Sequence, residues 1–383
     1  MKKTIINANV VLENGIIWDG VIKLDGDTIT SVSKAHDAGS PEDTEIIDAG
    51  GAYVGPGFVD IHVHGIMDKS TYFDGAEAAE RFLRHGTTSL LATPPYELKF
   101  DEMAEAIGAA KEAMKASKII KGLYMEGPYI NVNYGAFKHL NSWGGAIDPK
   151  QYRALVDEAG DAVKVWTIAP EREGLVPFLE YARRVNPDVV FAVGHSEATP
   201  SQIRSLGRFR PTLQTHSMCA TGRQAVLKGT RDFGPDEYCF READVFCELI
   251  SDSYGAHVNA EMQQLLLHNK GIHRVVLITD STCVSPDYSA PEHLSHITDL
   301  NFDDRGGLAG SRLTMDMACR NIMTHTNCGI AQAFLMASLN PARAIGLGDE
   351  IGSIEPGKKA DLVFVNDRFD VKQVMLGGNI CEF

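Results

Sequence analysis

Eight short apolar runs, GFVDIHVH, TTSLLAT, IKGLYMEG, VKVWTIAP, VVFAVGHS, TLQTHSM, VFCELISD and RVVLITD, begin near residues 57, 87, 120, 163, 189, 212, 245 and 274. They are rich in β-branched residues and lack clean polar alternation, the pattern of parallel strands buried on both faces. Between them lie segments such as DGAEAAERFLRHG, DEMAEAIGAAKEAMKA, PKQYRALVDEAG and LVPFLEYARRV, whose apolar residues recur at helical spacing. Each interval has room for a strand, a helix and two loops, so the repeat predicts an α/β chain folded as a (β/α)8 TIM-like barrel. An open doubly wound sheet would favour a Gly-rich phosphate loop after an early strand, and no G-x-G-x-x-G occurs.

The two ends of the chain read differently. From Thr4 to about Ile47, short strands alternate with turns: TIINANVVL, IIWDGVIKL and TITSVS, separated by ENG and DGD. Strands and turns return in IGSIEPGKKADLVFVNDRFDVKQVMLGGNICEF. The ends are expected to pair as a small β-sandwich domain, residues 1–54 plus 348–383, beside a catalytic barrel of residues 55–347.

Charge narrows the choice of partner. With 36 Lys and Arg against 51 Asp and Glu, the net charge of −15 argues against nucleic acid or an anionic membrane and leaves a small molecule as the expected ligand. Asn7, Asn9 and Glu13 interrupt the stretch where an export signal needs apolar residues, and no membrane-spanning run is visible. Seven cysteines without a C-x-x-C pair point to neither a disulfide framework nor a cysteine metal site, so a reducing cytoplasm is the expected compartment.

In a parallel barrel the carboxyl ends of the strands form the catalytic face, and the polar residues closing each run can be read as one set. Run one ends in His62 and His64, whose i, i+2 spacing on a strand sends both rings to the same side. Run three ends in Glu126, run five in His195, run six in His216 and run eight in Asp280. A lone buried histidine is more often a core residue bonded to a carbonyl, but six such groups at strand ends form a metal-like set. Imidazoles with carboxylates suit Zn²⁺, and also accept Fe²⁺, Mn²⁺ or Co²⁺. A divalent ion there lowers the pKa of bound water to about 7 and polarises a carbonyl, as amide hydrolysis requires. Asp280 is the expected base, able to take the water's proton and pass it to the departing nitrogen.

The order of motifs carries a resemblance over nearly the whole chain: GPGFVDIHVHG at 55–65, MEGPY at 125–129, GHSEA at 194–198, TDS at 279–281, LAGSRLTM at 308–315 and IGSIEPGKKADLV at 351–363. The chain resembles the metal-dependent amidohydrolase superfamily and, within it, the N-acetylglucosamine-6-phosphate deacetylase family. The resemblance implies a main metal on Glu126, His195 and His216, with His62 and His64 supporting a second, hence one or two ions per subunit. It implies Asp280 as the catalytic acid and base, His257 as a substrate-binding residue, and the loop Leu308, Ala309, Gly310 and Ser311 as lining of the acetyl and sugar pocket. It also implies a homodimer with the site near the interface.

Three segments depart from that family's pattern. Where the family has an Asn-Ala pair at the phosphate, this chain has Cys219 and Ala220. A histidine expected in K-G-A-H is replaced by Phe137, with His139 two residues later, and ISDSYGAHV at 250–258 is longer than usual. Arg223 remains a candidate phosphate fork. The expected reaction is therefore removal of the acetyl group from an N-acetylated amino sugar phosphate, N-acetylglucosamine-6-phosphate first. The same chemistry on N-acetylgalactosamine-6-phosphate or an unphosphorylated N-acyl compound is the alternative. A non-catalytic barrel used for assembly is a second alternative, opposed by retention of all five candidate ligands and Asp280.

Overall fold

The barrel strands are Phe58–Val63, Thr87–Ala92, Ile120–Met125, Val163–Ile168, Val190–Val193, Leu213–Gln214, Phe246–Ile250 and Val275–Ile278, in a computed structural model that describes residues 1–39, 43–222, 230, 232–284 and 290–383. All eight are parallel, and each pairs with the next in sequence order. The first and eighth strands share no ladder, and side chains close the seam. Thr279 donates through its backbone N and its hydroxyl to the buried Asp60 carboxyl, at 3.3 and 2.5 Å, and Asp280 N donates to His62 O at 3.0 Å.

Strand alternation divides the core in two. Val59 and Ile61, Leu91, Tyr124, Val165, Ala192, Leu213, Val276 and Ile278 form one buried cluster. Their sequence neighbours Phe58, Leu90, Leu123, Met125, Trp166, Val193, Val275 and Leu277 join a second, with helix residues such as Ala79, Phe82, Met103, Leu155 and Phe178. This is the period of two expected when one face points into a barrel and the other beneath its helices. The first four barrel helices, Gly75–Leu83, Phe100–Ala116, Pro149–Ala159 and Leu175–Val185, fall where the helical spacing places them.

Strands from both chain ends make a separate eight-stranded sheet. Its hydrogen-bonded order runs Asn379–Ile380, Val371–Leu376, Leu362–Val365, Tyr53–Pro56, Lys2–Leu12, Gly15–Asp25 and Thr28–Lys34, with Glu45–Asp48 also against Lys2–Leu12. The sheet curls back on itself: Ile29 N donates to Lys358 O, Ala360 N to Asp27 O, and the Lys3 ammonium to Gly378 O at 2.7 Å. Ile5, Val10, Ile22, Leu24, Val54, Leu362 and Phe364 fill the space so enclosed. The strand Tyr53–Pro56 is followed after Gly57 by the first barrel strand, so this sheet fixes where that strand enters the barrel.

Candidate active site

All six polar residues read from the strand ends come together at the carboxyl mouth of the barrel. His62 is on the first strand and His64 immediately after it, and Glu126 directly follows the third; His195, His216 and Asp280 each lie two residues past the fifth, sixth and eighth. Those last three have φ of 45°, 23° and 48°. This is left-handed backbone that non-glycine residues seldom adopt, and it persists at sites where the surroundings over-determine it.

Glu126 is the centre of the cluster. Its Oε1 lies 2.7 Å from His195 Nε2, 3.0 Å from His216 Nε2 and 3.6 Å from His62 Nε2, while Oε2 lies 3.3 Å from His64 Nε2. Asp280 Oδ1 stands 3.2 Å from His64 Nε2 and 3.8 Å from His62 Nε2. Two donor sets result, His62 with His64 and Glu126, and Glu126 with His195 and His216, each with its donor atoms within 4.8 Å of one another. Burial works to raise the Glu126 carboxyl; the charge and hydrogen bond of His195 and the hydrogen bonds of His216 and His64 more than reverse it, holding it well below the ordinary range.

Ring orientation fits a cation. His64 Nδ1 faces Thr93 O at 2.9 Å and His216 Nδ1 faces Cys219 O at 3.1 Å. A carbonyl only accepts, so Nδ1 carries a proton in both rings and Nε2 is the nitrogen turned to the centre, donating to the carboxylates while protonated and free to ligate a cation once that proton is lost. His62 Nδ1 meets the buried Glu248 carboxylate at 3.0 Å, and its own Nε2 is buried without a hydrogen-bond partner. Nε2 of His195 and of His216 approach to 3.0 Å. Imidazole nitrogens converging on one carboxylate, three of them (His62, His64 and His216) with an acceptor behind the ring, are the donor set and outer support of a divalent-metal site.

The mouth opens into a cavity of about 580 Å³. His257, Cys219, Ala220, Leu308, Ala309 and Gly310 line it. Gly310 has φ +60°, and a Cβ there would meet Asp280 O at 2.6 Å, so only glycine lets this strand lie against the Asp280 backbone. Ser311 faces the other way, donating its hydroxyl to Thr279 O at 2.6 Å. His139 is beside Asp304, 3.3 Å away, and Phe137 takes the place on the cavity wall. Arg223 lies outside the described residues.

Three acids at the site were not singled out from the sequence. Glu248, on the seventh strand, accepts from both His62 and the His216 backbone. Asp252, just past that strand, holds His257 through the ring Nδ1 at 3.0 Å and the backbone N at 2.9 Å. Glu97, after the second strand, lines the cavity. An acid inside or at the edge of an apolar run, VFCELISD, is the one signal that could have marked the first two.

A parallel barrel whose strand ends gather imidazoles and carboxylates around a shared glutamate is a metal-dependent hydrolase in class. The chain belongs to the Amidohydrolase family, whose profile matches residues 53–204 and 247–381, and is a hydrolase of amide C–N bonds. It is 26% identical over 393 residues to the N-acetylglucosamine-6-phosphate deacetylase of Bacillus subtilis, covering 97% of this chain and 95% of the relative. It is 28% identical over 347 residues to the N-acetylgalactosamine-6-phosphate deacetylase of Escherichia coli O157:H7, covering 86% and 87%. The crystal structure of N-acetyl-D-glucosamine-6-phosphate deacetylase from Mycobacterium smegmatis superimposes with a TM-score of 0.82 at 25% identity, over 99% of each chain.

Proposed function

We propose that this chain is a divalent-metal-dependent deacetylase that converts N-acetylglucosamine-6-phosphate and water to acetate and glucosamine-6-phosphate. The observation that carries the reading is Asp280, 3.2 Å from His64 Nε2 at the edge of two donor sets joined through Glu126, with the substrate-sized cavity directly above. Glu126, His195 and His216 would hold one ion, and His62 and His64 with Glu126 a second. Zn²⁺ is the reading adopted here; Fe²⁺, Mn²⁺ and Co²⁺ suit the same donors. A bound ion supplies Lewis acidity toward the amide carbonyl and toward water.

The chain's own residues do the rest. Asp280 takes a proton from the attacking water as its oxygen bonds to the acetyl carbon, then returns that proton to the nitrogen as the C–N bond breaks. Burial pushes its carboxyl up, but the hydrogen bond from His64 and the charges of His62, His64 and His216 outweigh burial and keep it ionised. His257, fixed by Asp252, and the strand 308–310, which lies against the Asp280 backbone, orient the acetamide. Chelator-sensitive acetate release from N-acetylglucosamine-6-phosphate tests the reading, with its galactosamine epimer and unphosphorylated N-acetylglucosamine as the comparison substrates. Turnover confined to the epimer would move the substrate to the one named for the E. coli relative.

The same reading makes the protein a cytoplasmic homodimer. Its seven cysteines are free thiols, in keeping with a reducing compartment. Among the described residues no helix is long and apolar enough to cross a membrane. Light scattering on the purified chain tests the dimer.

A further inference from the structure

One wall of the cavity has a chemistry that the donor cluster does not use. Tyr72, Pro95, Tyr96, Leu98, Phe137 and Leu140 make it largely apolar, and Glu97 is set among them. The Oε2 atom of Glu97 is buried and meets no hydrogen-bond donor of the protein. An apolar setting makes an unanswered carboxyl oxygen costly, and an acid kept there is an acid that something else answers. Among the described residues lining the cavity there is no Lys or Arg to do so. Glu126 and Asp280 add negative charge nearby; burial, chiefly, and then the Glu126 charge push the Glu97 carboxyl up to about 7. Among the described residues, a phosphate placed at this wall would meet a carboxyl with no Lys or Arg to offset it, whereas a neutral group carrying an O–H would supply the missing donor.

Resting on the amino-sugar reading above, we infer that Glu97 is a specificity-determining residue: its carboxyl accepts a hydrogen bond from a ring hydroxyl of the bound amino sugar, on the side from which a phosphate is turned away. The aromatic neighbours suit the C–H face of a sugar ring, and Glu97 reads the ring's edge. The carboxyl belongs to the substrate and not to the metal, because its oxygens are outside both donor sets.

The test is steady-state kinetics with metal content measured on every sample. Wild type, Glu97→Gln and Glu97→Ala are compared on N-acetylglucosamine-6-phosphate and on analogues in which the 1-, 3- or 4-hydroxyl is replaced by hydrogen. Glu97→Ala should raise KM about 10- to 100-fold, the scale of a hydrogen bond to a charged group, with kcat nearly unchanged and metal content intact. One deoxy analogue should impose the same KM penalty on wild type and no further penalty on Glu97→Ala, since both changes delete one interaction. Equal additional losses on all three analogues, or a fall in kcat and metal content at constant KM, would overturn the assignment while leaving the amino-sugar reading intact. Wild type inert toward every N-acetyl amino sugar would remove both. Should the alanine variant misfold, Glu97→Leu, close in size and without an acceptor, carries the same cycle, while Glu97→Gln, which keeps an acceptor oxygen, should retain most of the discrimination among the deoxy analogues.

Discussion

Glu248 and His62 meet at 3.0 Å beneath the site, and the same carboxylate oxygen accepts the backbone N–H of His216 at 2.9 Å. One atom of the seventh strand thus aligns a ring of the first strand and the chain just past the sixth. Glu248 is fully buried, and His62 also stacks on Tyr124 with ring centroids 4.3 Å apart. The ring has a hydrogen-bond acceptor behind it and an aromatic face beside it, so its Nε2 can point only toward Glu126 and Asp280.

Removing that support should loosen the metal without touching its donors. Glu248→Ala is expected to weaken metal affinity about 10- to 100-fold, the usual effect of deleting a group that orients a ligand. Competition with a chromophoric chelator reads this directly. Wild-type affinity in the variant would show that packing on Tyr124 alone holds His62.

Asp280→Asn should retain the metal and lose about 10² to 10⁴ in kcat, the scale of a general acid–base group. The asparagine keeps the side chain's size and the backbone bonds to His62 and Ser311. Acetate release within a few fold of wild type would mean that another group carries the proton.

Asp252 gives a pH dependence whose sign is fixed. Burial raises its carboxyl, but the hydrogen bond and charge of His257 and the backbone N–H groups of Ala256 and His257 bring it down to about 2. An acid whose folded pKa is depressed from its ordinary value of 3.8 binds its proton first in the unfolded chain. Its contribution to stability, about 2 kcal/mol, is therefore complete above pH 4 and fades as pH falls toward 2. Urea unfolding of wild type and Asp252→Asn should show a stability gap at pH 6 that narrows through that window. A constant gap would assign the loss to packing.

At Gly310 the backbone decides. Alanine must adopt φ +60° and put its Cβ 2.6 Å from Asp280 O, so Gly310→Ala should cost about 1–3 kcal/mol and lower kcat as Asp280 is displaced. A thermal unfolding scan and one kinetic assay check both effects. Unchanged values would mean that residues 308–311 shift freely.

Most of the barrel and its strand-end cluster is legible in the amino-acid sequence, for a physical reason. Strands buried on both faces have to be apolar throughout, so a histidine or carboxylate closing such a run stands out. The sixth run shows how little pairing this needs: only Leu213 and Gln214 enter the ladder, yet His216 still arrives at the site. Cavity walls are less legible, because loops have no period. Phe137 sits at φ 47°, which turns the chain so that Phe137 enters the cavity and His139 ends at Asp304. The turn at Gly310 similarly sends Ser311 away from the cavity toward Thr279. Glu97, in the loop PPYEL, is marked by no pattern at all.

The curled terminal sheet has a consequence for biosynthesis. Tyr53–Pro56, which feeds the strand bearing His62, is flanked on one side by Lys2–Leu12 and on the other by Leu362–Val365. On the ribosome the second neighbour emerges only after every barrel strand has been made. Leu362–Val365, far from the chemistry, thus determine when the first strand acquires its final anchor, and a nascent chain that has not yet reached them carries all its candidate metal donors but an unpaired edge at Tyr53–Pro56.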